Sequence, residues 1–415
     1  MNAIDHIVVL MLENRSFDNM LGALSLPPAQ GGLGRGDVNG LTGSESNQYN
    51  GANYPVFPLP STRFRDGPCH ESACVQRQLR HENGGFVFDF EGVRQREPLG
   101  AVMGYYPTAM LPVYEFLSRE FVVCDRWHSS VPGPTWPNRL YSIAGQSDGQ
   151  HGNSMPHVGY GLKTIFEHLH DSGVSWGYYS HDRVFSFLRV FRRFLASSEI
   201  RPFAQFYQEA AANSLPSVVW LEPEFGTRPG TVSNDDHPPG DLLPGQQLVA
   251  KVYNALRSSA AWPRTLLILT YDEHGGFYDH VVPPAAPDDR TDFQQYGLRV
   301  PAFLVSPLVP QGAVDDRLLD HTSILRTILD RFCTRNGQSP SMGARTDHAA
   351  NLMGALSLTA PRDTPRSAPN VSLAPPASAT TTPAPSTAEA SAFSDHVLMR
   401  TVGGLAVAAG IANQA

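Results

Sequence analysis

Lysine is almost missing from this 415-residue chain: of its thirty-one Lys plus Arg residues, only Lys163 and Lys251 are lysines. That scarcity points to GC-rich bacterial coding more than to any mechanism. No dense basic run exists, and the thirty-one basic residues face thirty-nine Asp plus Glu for a formal charge of −8. A nucleic-acid polyanion is therefore excluded as a partner, and so is adhesion to anionic lipid through a polybasic patch. The four cysteines, Cys69, Cys74, Cys124 and Cys333, are too few and too irregular for a disulfide scaffold or a zinc ribbon. A Cys69–Cys74 bridge across a loop and free buried thiols both stay open. No apolar run reaches the roughly 18 residues of a membrane span. The opening MNAIDHIVVLMLENRSFDNMLG lacks the basic start, the longer apolar core and the small-residue cleavage site of a signal peptide. The expectation is a soluble protein, cytoplasmic or secreted by a leaderless route. No internal repeat is visible.

What is present is enough apolar residue, 41% of the chain, to build a sizeable core. Residues 4 to 12 (IDHIVVLML) form a continuous β-branched and aliphatic run, the pattern of a strand buried on both faces of a parallel sheet. Thr265 to Thr270 and Val300 to Val305 have the same character, and Ser217 to Leu221 and Phe121 to Cys124 are shorter strands. Helical patterns at Leu162 to Ser172, Gly245 to Ser258 and Ser323 to Cys333 alternate with them. The alternation predicts an α/β fold with a mainly parallel central sheet. Residues 27 to 65 are rich in Gly, Pro, Ser and Asn and read as one long irregular loop. After about Leu356 the composition turns to Ala, Pro, Ser and Thr, which reads as an extended linker over 356–392. A small apolar segment, 393–415, compatible with a short helix, ends the chain.

In an open parallel sheet the carboxyl ends of the strands face the ligand crevice. Glu13 and Asn14 follow the first run, and Asp272, Glu273 and His274 follow the run that ends at Tyr271. Acids and an amide at two buried strand ends are costly unless a cation neutralises them. A divalent metal held by Glu13, Asn14, Asp272 and Glu273 meets that need, and Ca, Zn, Mn and Fe all suit such a site. Helix capping, or pairing with Arg15 and other arginines, is the alternative for each acid taken singly. In SVPGPTWPNRLY, residues 130 to 141, Thr135 lies among prolines in a turn that leads into a helix near Asn138. It serves there either as a helix cap or as a nucleophile activated by metal. Arg139 is suited equally to phosphate oxygens and to a carboxylate. His70, His237, His280 and His321 stand in polar surroundings, with Asp320 placed to orient His321 or to cap the helix after it. His70 and His237 suit proton donation to a leaving oxygen.

Four motifs, ENRSFDNMLG at 13 to 22, GPTWPNRLY at 133 to 141, NDDHPP at 234 to 239 and YDEHGGFYDHVVPP at 271 to 284, share a known order and spacing. On them the chain resembles the bacterial phosphoesterase family of non-haemolytic phosphatidylcholine-specific phospholipases C and related acid phosphatases, over roughly residues 4 to 350. The resemblance implies an alkaline-phosphatase-like fold, helices on both faces of the sheet, and a catalytic domain over 1–355. It implies that Glu13, Asn14, Asp272 and Glu273 hold one divalent metal ion, with Thr135 as the nucleophile completing its sphere. It also places His70 and His237 at the phosphate site, with His181 as a weaker counterpart of a further histidine. Threonine at the nucleophile position is similar to the phospholipase branch, whereas the phosphatase branch carries serine.

The expected activity is therefore hydrolysis of phosphatidylcholine-like phospholipids to diacylglycerol and a phosphorylated head group, through a phosphothreonine. A monoester-cleaving acid phosphatase is the alternative. Transient contact with a membrane surface goes with the lipid substrate. Trp136, next to the nucleophile, and Trp127, Tyr105, Tyr106, Tyr178 and Tyr179 offer rings either for a choline cage or for the core.

Overall fold

The protein is described here by a computed structural model, which covers residues 4–182, 186–226 and 232–373. Eight strands form one sheet. In chain order they are β1 (His6–Leu12), β2 (Val122–Cys124), β3 (Trp176–Ser180), β4 (Ile200–Pro202), β5 (Val218–Glu222), β6 (Thr265–Tyr271), β7 (Ala302–Val305) and β8 (Val314–Asp315). Across the sheet they run β8-β2-β7-β6-β1-β5-β3-β4. β1 is central and parallel to both β5 and β6. The parallel set continues through β3 and β4, whereas β7 lies antiparallel to both β6 and β2. The sheet is thus mainly parallel with one reversed strand, and the fold is α/β.

All five predicted runs are strands of this sheet. Every residue of β6 is buried, as are six of the seven in β1. Successive side chains point to opposite faces, so both faces are covered. The Val300 to Val305 run proves antiparallel: being buried on both faces says nothing about strand direction. The helix Leu242–Ser258 packs with Pro112–Glu120 and Phe203–Ala211, and the helix Thr135–Ala144 packs with Ile165–Asp171 and Thr322–Ile328. A capping box, Thr164 with Glu167, starts the Ile165 helix, and the Asp241 side chain accepts from Leu243 N at the start of the Leu242 helix.

Two expectations about irregular regions change. Residues 27 to 65 are not one structureless loop, because Ser46–Tyr49 and Ala52–Pro55 form a hairpin across Asn50 and Gly51, both with positive φ. An Asn-Gly pair suits that turn, which needs left-handed backbone at both central residues. The proline-rich stretch after Leu356 begins as a docked strap. Arg362 donates to the Val309 carbonyl, the Trp262 indole donates to Thr364 Oγ1, and the Ala368 amide donates to Asn254 Oδ1. The rest of the 356–392 linker, from 374, and the 393–415 tail lie outside the described residues. Cys69 and Cys74 are disulfide-bonded, whereas Cys124 and Cys333 are buried free thiols. Among the described residues no helix is long and apolar enough to cross a membrane.

Candidate active site

β1 and β6 are neighbours with His6 opposite Thr265 and Leu12 opposite Tyr271, so the residues that follow each strand emerge side by side. Glu13 and Asn14 leave β1, and Asp272 and Glu273 leave β6, all of them buried. Asn14 takes up a left-handed backbone, φ 60°, and its amide donates to Asp272 Oδ1 at 3.1 Å. Its side-chain Nδ2 donates to Glu273 Oε1 and meets His70 Nε2 at 3.1 Å. Glu273 Oε2 accepts from the amide of Gly275. Gly275 has φ 65°, and a Cβ there would fall 2.1 Å from the Asn14 carbonyl oxygen, so only glycine lets the two segments close on each other.

Arg139 lies between the two strand ends. Its Nε donates to Asp272 Oδ2 at 3.0 Å, and its Nη2 stands 3.3 Å from Glu13 and 3.2 Å from the Leu12 carbonyl. Of the two partners open for it in the sequence, carboxylate and phosphate, the fork meets carboxylate. Thr135 opens the helix Thr135–Ala144 one turn before Arg139, on the same face. That helix starts three residues earlier than the sequence indicates. Thr135 makes no capping bond; its Oγ1 is buried without a hydrogen-bond partner among the described residues, and Asn14 Oδ1 is in the same condition. Buried polar oxygens are normally satisfied, so two orphans in this crevice point to a missing partner.

His70 and His237 meet edge to face with ring centroids 5.8 Å apart. His70 Nδ1 donates to the Pro68 carbonyl at 3.1 Å, and His237 Nδ1 donates to the Pro238 carbonyl. A carbonyl only accepts, so each ring carries its proton on Nδ1 and, when neutral, a lone pair on Nε2. The disulfide at Cys69 adjoins His70. His181, just past the end of β3, stacks on Phe203 at 3.9 Å and reaches the Glu222 carbonyl, and among the described residues no ring contact joins it to either imidazole.

Among the described residues no ring contact joins any two of the six aromatics considered for a choline cage. Trp136 is 1% exposed and packs against Phe187, Tyr178 against Phe166, Tyr179 against Phe206, and Trp127 against His321. Large flat side chains close to a site fill the core beneath it first. Asp320 does not orient His321 either, since its carboxylate accepts from Ser130 and Thr322.

Several groups of the site are not among those expected from the sequence. Asp236, buried and left-handed at φ 73°, accepts from the hydroxyls of Tyr271 and Tyr114. Burial pushes its carboxyl up to about 7, and burial likewise raises Asp272 despite the Arg139 guanidinium beside it. Glu222, at the end of β5, accepts from Tyr178 and from the amide of Phe187, and burial raises it too. The strand-end rule that singles out Glu13 and Asp272 applies equally to Glu222, one residue past the Ser217 to Leu221 run.

The donor set fits a divalent cation. Glu13 and Asp272 share the Arg139 guanidinium, Glu273 adds a third carboxylate against Asn14 and Gly275, and Asn14 and Thr135, the latter one turn from Arg139, add orphaned oxygens. No three of Glu13, Asp272, Glu273, His70 and His237 bring ligand atoms within 4.8 Å of one another, and Arg139 contacts both Glu13 and Asp272. The fit therefore rests on charge and on the orphaned oxygens, not on a preformed cage.

A model of the phosphoesterase family matches residues 4–334. Non-specific phospholipase C6 of Arabidopsis thaliana is 36% identical over 400 residues, 88% of this chain and 75% of its own. The non-hemolytic phospholipase C of Pseudomonas aeruginosa is 29% identical over 392 residues, 79% of this chain and 54% of its own. A crystal structure of an alkaline phosphatase superfamily protein from Vibrio parahaemolyticus aligns at TM-score 0.38 and 13% identity, over 62% of this chain and 67% of that one. That likeness is too loose to transfer any residue's role.

Proposed function

This chain belongs to the phosphoesterase family, and on that premise we propose that it is a metal-dependent phosphodiester hydrolase of phospholipase C type, acting on phosphatidylcholine-like lipids. The carrying observation is the buried, unpartnered Thr135 hydroxyl at a helix start, one turn from the guanidinium that touches Glu13 and Asp272. A divalent ion held by Glu13, Asn14, Asp272, Glu273 and Thr135 supplies charge neutralisation for the phosphoryl oxygens and lowers the pKa of the hydroxyl.

The chain's own residues do the rest. The helix start that carries Thr135 sets its oxygen for in-line attack on phosphorus, and its amides favour an anion there. With Thr135 ionised and the imidazole of His237 or His70 protonated on both nitrogens, the Thr135 oxygen bonds to phosphorus as the bond to the lipid alcohol breaks, and diacylglycerol leaves with the Nε2 proton of that imidazolium. Water then displaces phosphorus from Thr135, giving its proton to the same imidazole and releasing the phosphorylated head group. Arg139 holds Glu13 and Asp272 in place between turnovers. Phosphoryl transfer depends mainly on positioning and charge, which is what this crevice supplies.

The test is Thr135→Ala assayed on phosphatidylcholine vesicles and on a simple phosphomonoester, with metal content by elemental analysis. Diester turnover should fall by about three orders of magnitude or more with the metal retained. Unchanged turnover overturns the nucleophile, and faster hydrolysis of the monoester by the parent protein overturns the diester preference.

A further inference from the structure

We infer that Asp320 and His321 form a positioning bracket that holds the main chain at Asp272 in register with the turn presenting Thr135. The inference rests on the proposed function for its catalytic consequence and on the following geometry for its existence.

The two residues lie where a short strand, Leu319–Asp320, pairs in parallel with Trp127–His128 and passes into the helix Thr322–Ile328. His321 is fully buried, and its Nε2 meets the Asp272 carbonyl oxygen at 2.6 Å. On the other side of the ring, the Trp127 indole Nε1 donates to Nδ1 at 3.3 Å. An indole nitrogen can only donate, so Nδ1 accepts and the ring proton sits on Nε2, facing the carbonyl. The tautomer that can hold Asp272 is thus dictated by a residue 194 positions away.

Asp320 reaches the opposite way. Its Oδ2 accepts from Ser130 Oγ at 2.8 Å, and Arg345 donates to the Ser130 carbonyl. From Ser130 the chain folds directly into the Thr135 turn. The Val131 amide donates to Asn138 Oδ1, and Asn138 Nδ2 donates to the carbonyls of Val131, Gly133 and Pro134. One dipeptide therefore grips the main chain just past the end of β6 and the Thr135 turn by Ser130. Arg139 joins the same two regions through side chains, whereas the bracket fixes the backbone from which Asp272 and Glu273 project. Displacements of about 1 Å between reacting groups cost about a hundredfold in rate, so such a brace has a kinetic consequence.

The experiment compares His321→Phe, which keeps the bulk and removes the donor, with His321→Gln, which keeps an N–H near the Nε2 position. Both are made in the full chain. Affinity for Mn²⁺ alone is read by calorimetry, and kcat and KM on a phosphocholine diester. His321→Phe should weaken Mn²⁺ binding by about 10- to 100-fold and lower kcat with KM nearly constant; His321→Gln should recover both to within about threefold. A His321→Phe protein within about twofold of the parent in both quantities overturns the bracket, and so does a His321→Gln protein as impaired as His321→Phe. Should His321→Phe not fold, Ser130→Ala cuts the other arm: kcat should fall while Mn²⁺ affinity holds, and an unchanged kcat overturns the inference. A parent protein that neither binds Mn²⁺ nor cleaves the diester defeats the proposed function instead. In that case the ¹⁵N shifts of the parent His321 ring decide the bracket, with Nε2 protonation expected and Nδ1 protonation overturning it.

Discussion

Two buried clusters in this molecule each set one guanidinium against carboxylates, and they are finished differently. In the first, Arg299 donates to Asp18 at 3.0 Å and to Asp279 at 2.9 Å, and also to the carbonyls of Asn39 and Asp125. His280 adds a second nitrogen donor to Asp18 at 2.7 Å. In the second, Arg139 serves Asp272 and Glu13 while Glu273 crowds the same crevice and the oxygens of Asn14 and Thr135 find no donor. By distance alone the first looks more like a metal site, since Asp18, Asp279 and His280 offer ligand atoms within 4.8 Å of one another. Charge reverses the ranking: Arg299 and His280 answer Asp18 and Asp279 in the first cluster, though among the described residues Asp125 beside them keeps one unpartnered oxygen, whereas the second sets a third carboxylate, Glu273, next to the pair that Arg139 serves. Unfilled valence, not proximity, separates a site from a strut.

Removing each arginine in turn separates the two clusters. Arg299→Met should cost about 3–5 kcal/mol in chemical denaturation, because it strips buried Asp279 of its guanidinium and leaves Asp18 with His280 alone, and saturating Mn²⁺ should leave that penalty unchanged. Arg139→Met should cost about as much without metal, and the penalty against the parent should shrink by at least about 1 kcal/mol with Mn²⁺, since the ion supplies the missing charge. Equal metal response in the two variants would erase the distinction.

The two clusters also answer differently to pH. Burial holds the Asp236 carboxyl up at about 7, so the folded state favours the protonated form. Its contribution is complete below the ordinary value near 4 and is lost as pH rises through about 7. Asp236→Asn, measured against the parent by denaturation at pH 5 and pH 8, should gain about 1–2 kcal/mol between the two.

The smallest effect belongs to the closed cluster. Burial pulls His280 down, but the Asp18 carboxylate outweighs it and leaves the imidazole above its usual value. That stabilisation is full below about 6.5 and fades as pH rises through the higher folded value. His280→Gln should therefore cost about 0.5 kcal/mol at pH 6 and nothing at high pH, the figure being small because the ring is partly solvated.

The strands were legible where burial on both faces leaves an unbroken apolar run, as in IVVLML and TLLILTY. β3, read along the chain as WGYYS, was not, because its tyrosines pair their hydroxyls with Glu222 and Glu209, and such partners cannot be seen locally. The two strand ends pointed to the crevice, since the acids directly follow the runs. Arg139 was visible as a residue but not as a role, because a guanidinium suits phosphate and carboxylate alike until its neighbours are known. The tautomer of His321 was beyond reach for the same reason, as Trp127 comes to it only through the pairing of two dipeptides remote in the chain.

The helix that presents Thr135 has no wet side: all ten of its residues, Thr135 to Ala144, are buried. An ordinary surface helix can drift in sequence over half its circumference, and this one has no such tolerant half. Directed evolution of substrate range should therefore find few viable codons between positions 135 and 144. Libraries confined to exposed positions such as the hairpin turn at Asn50 and Gly51 leave the Thr135 oxygen where it stands.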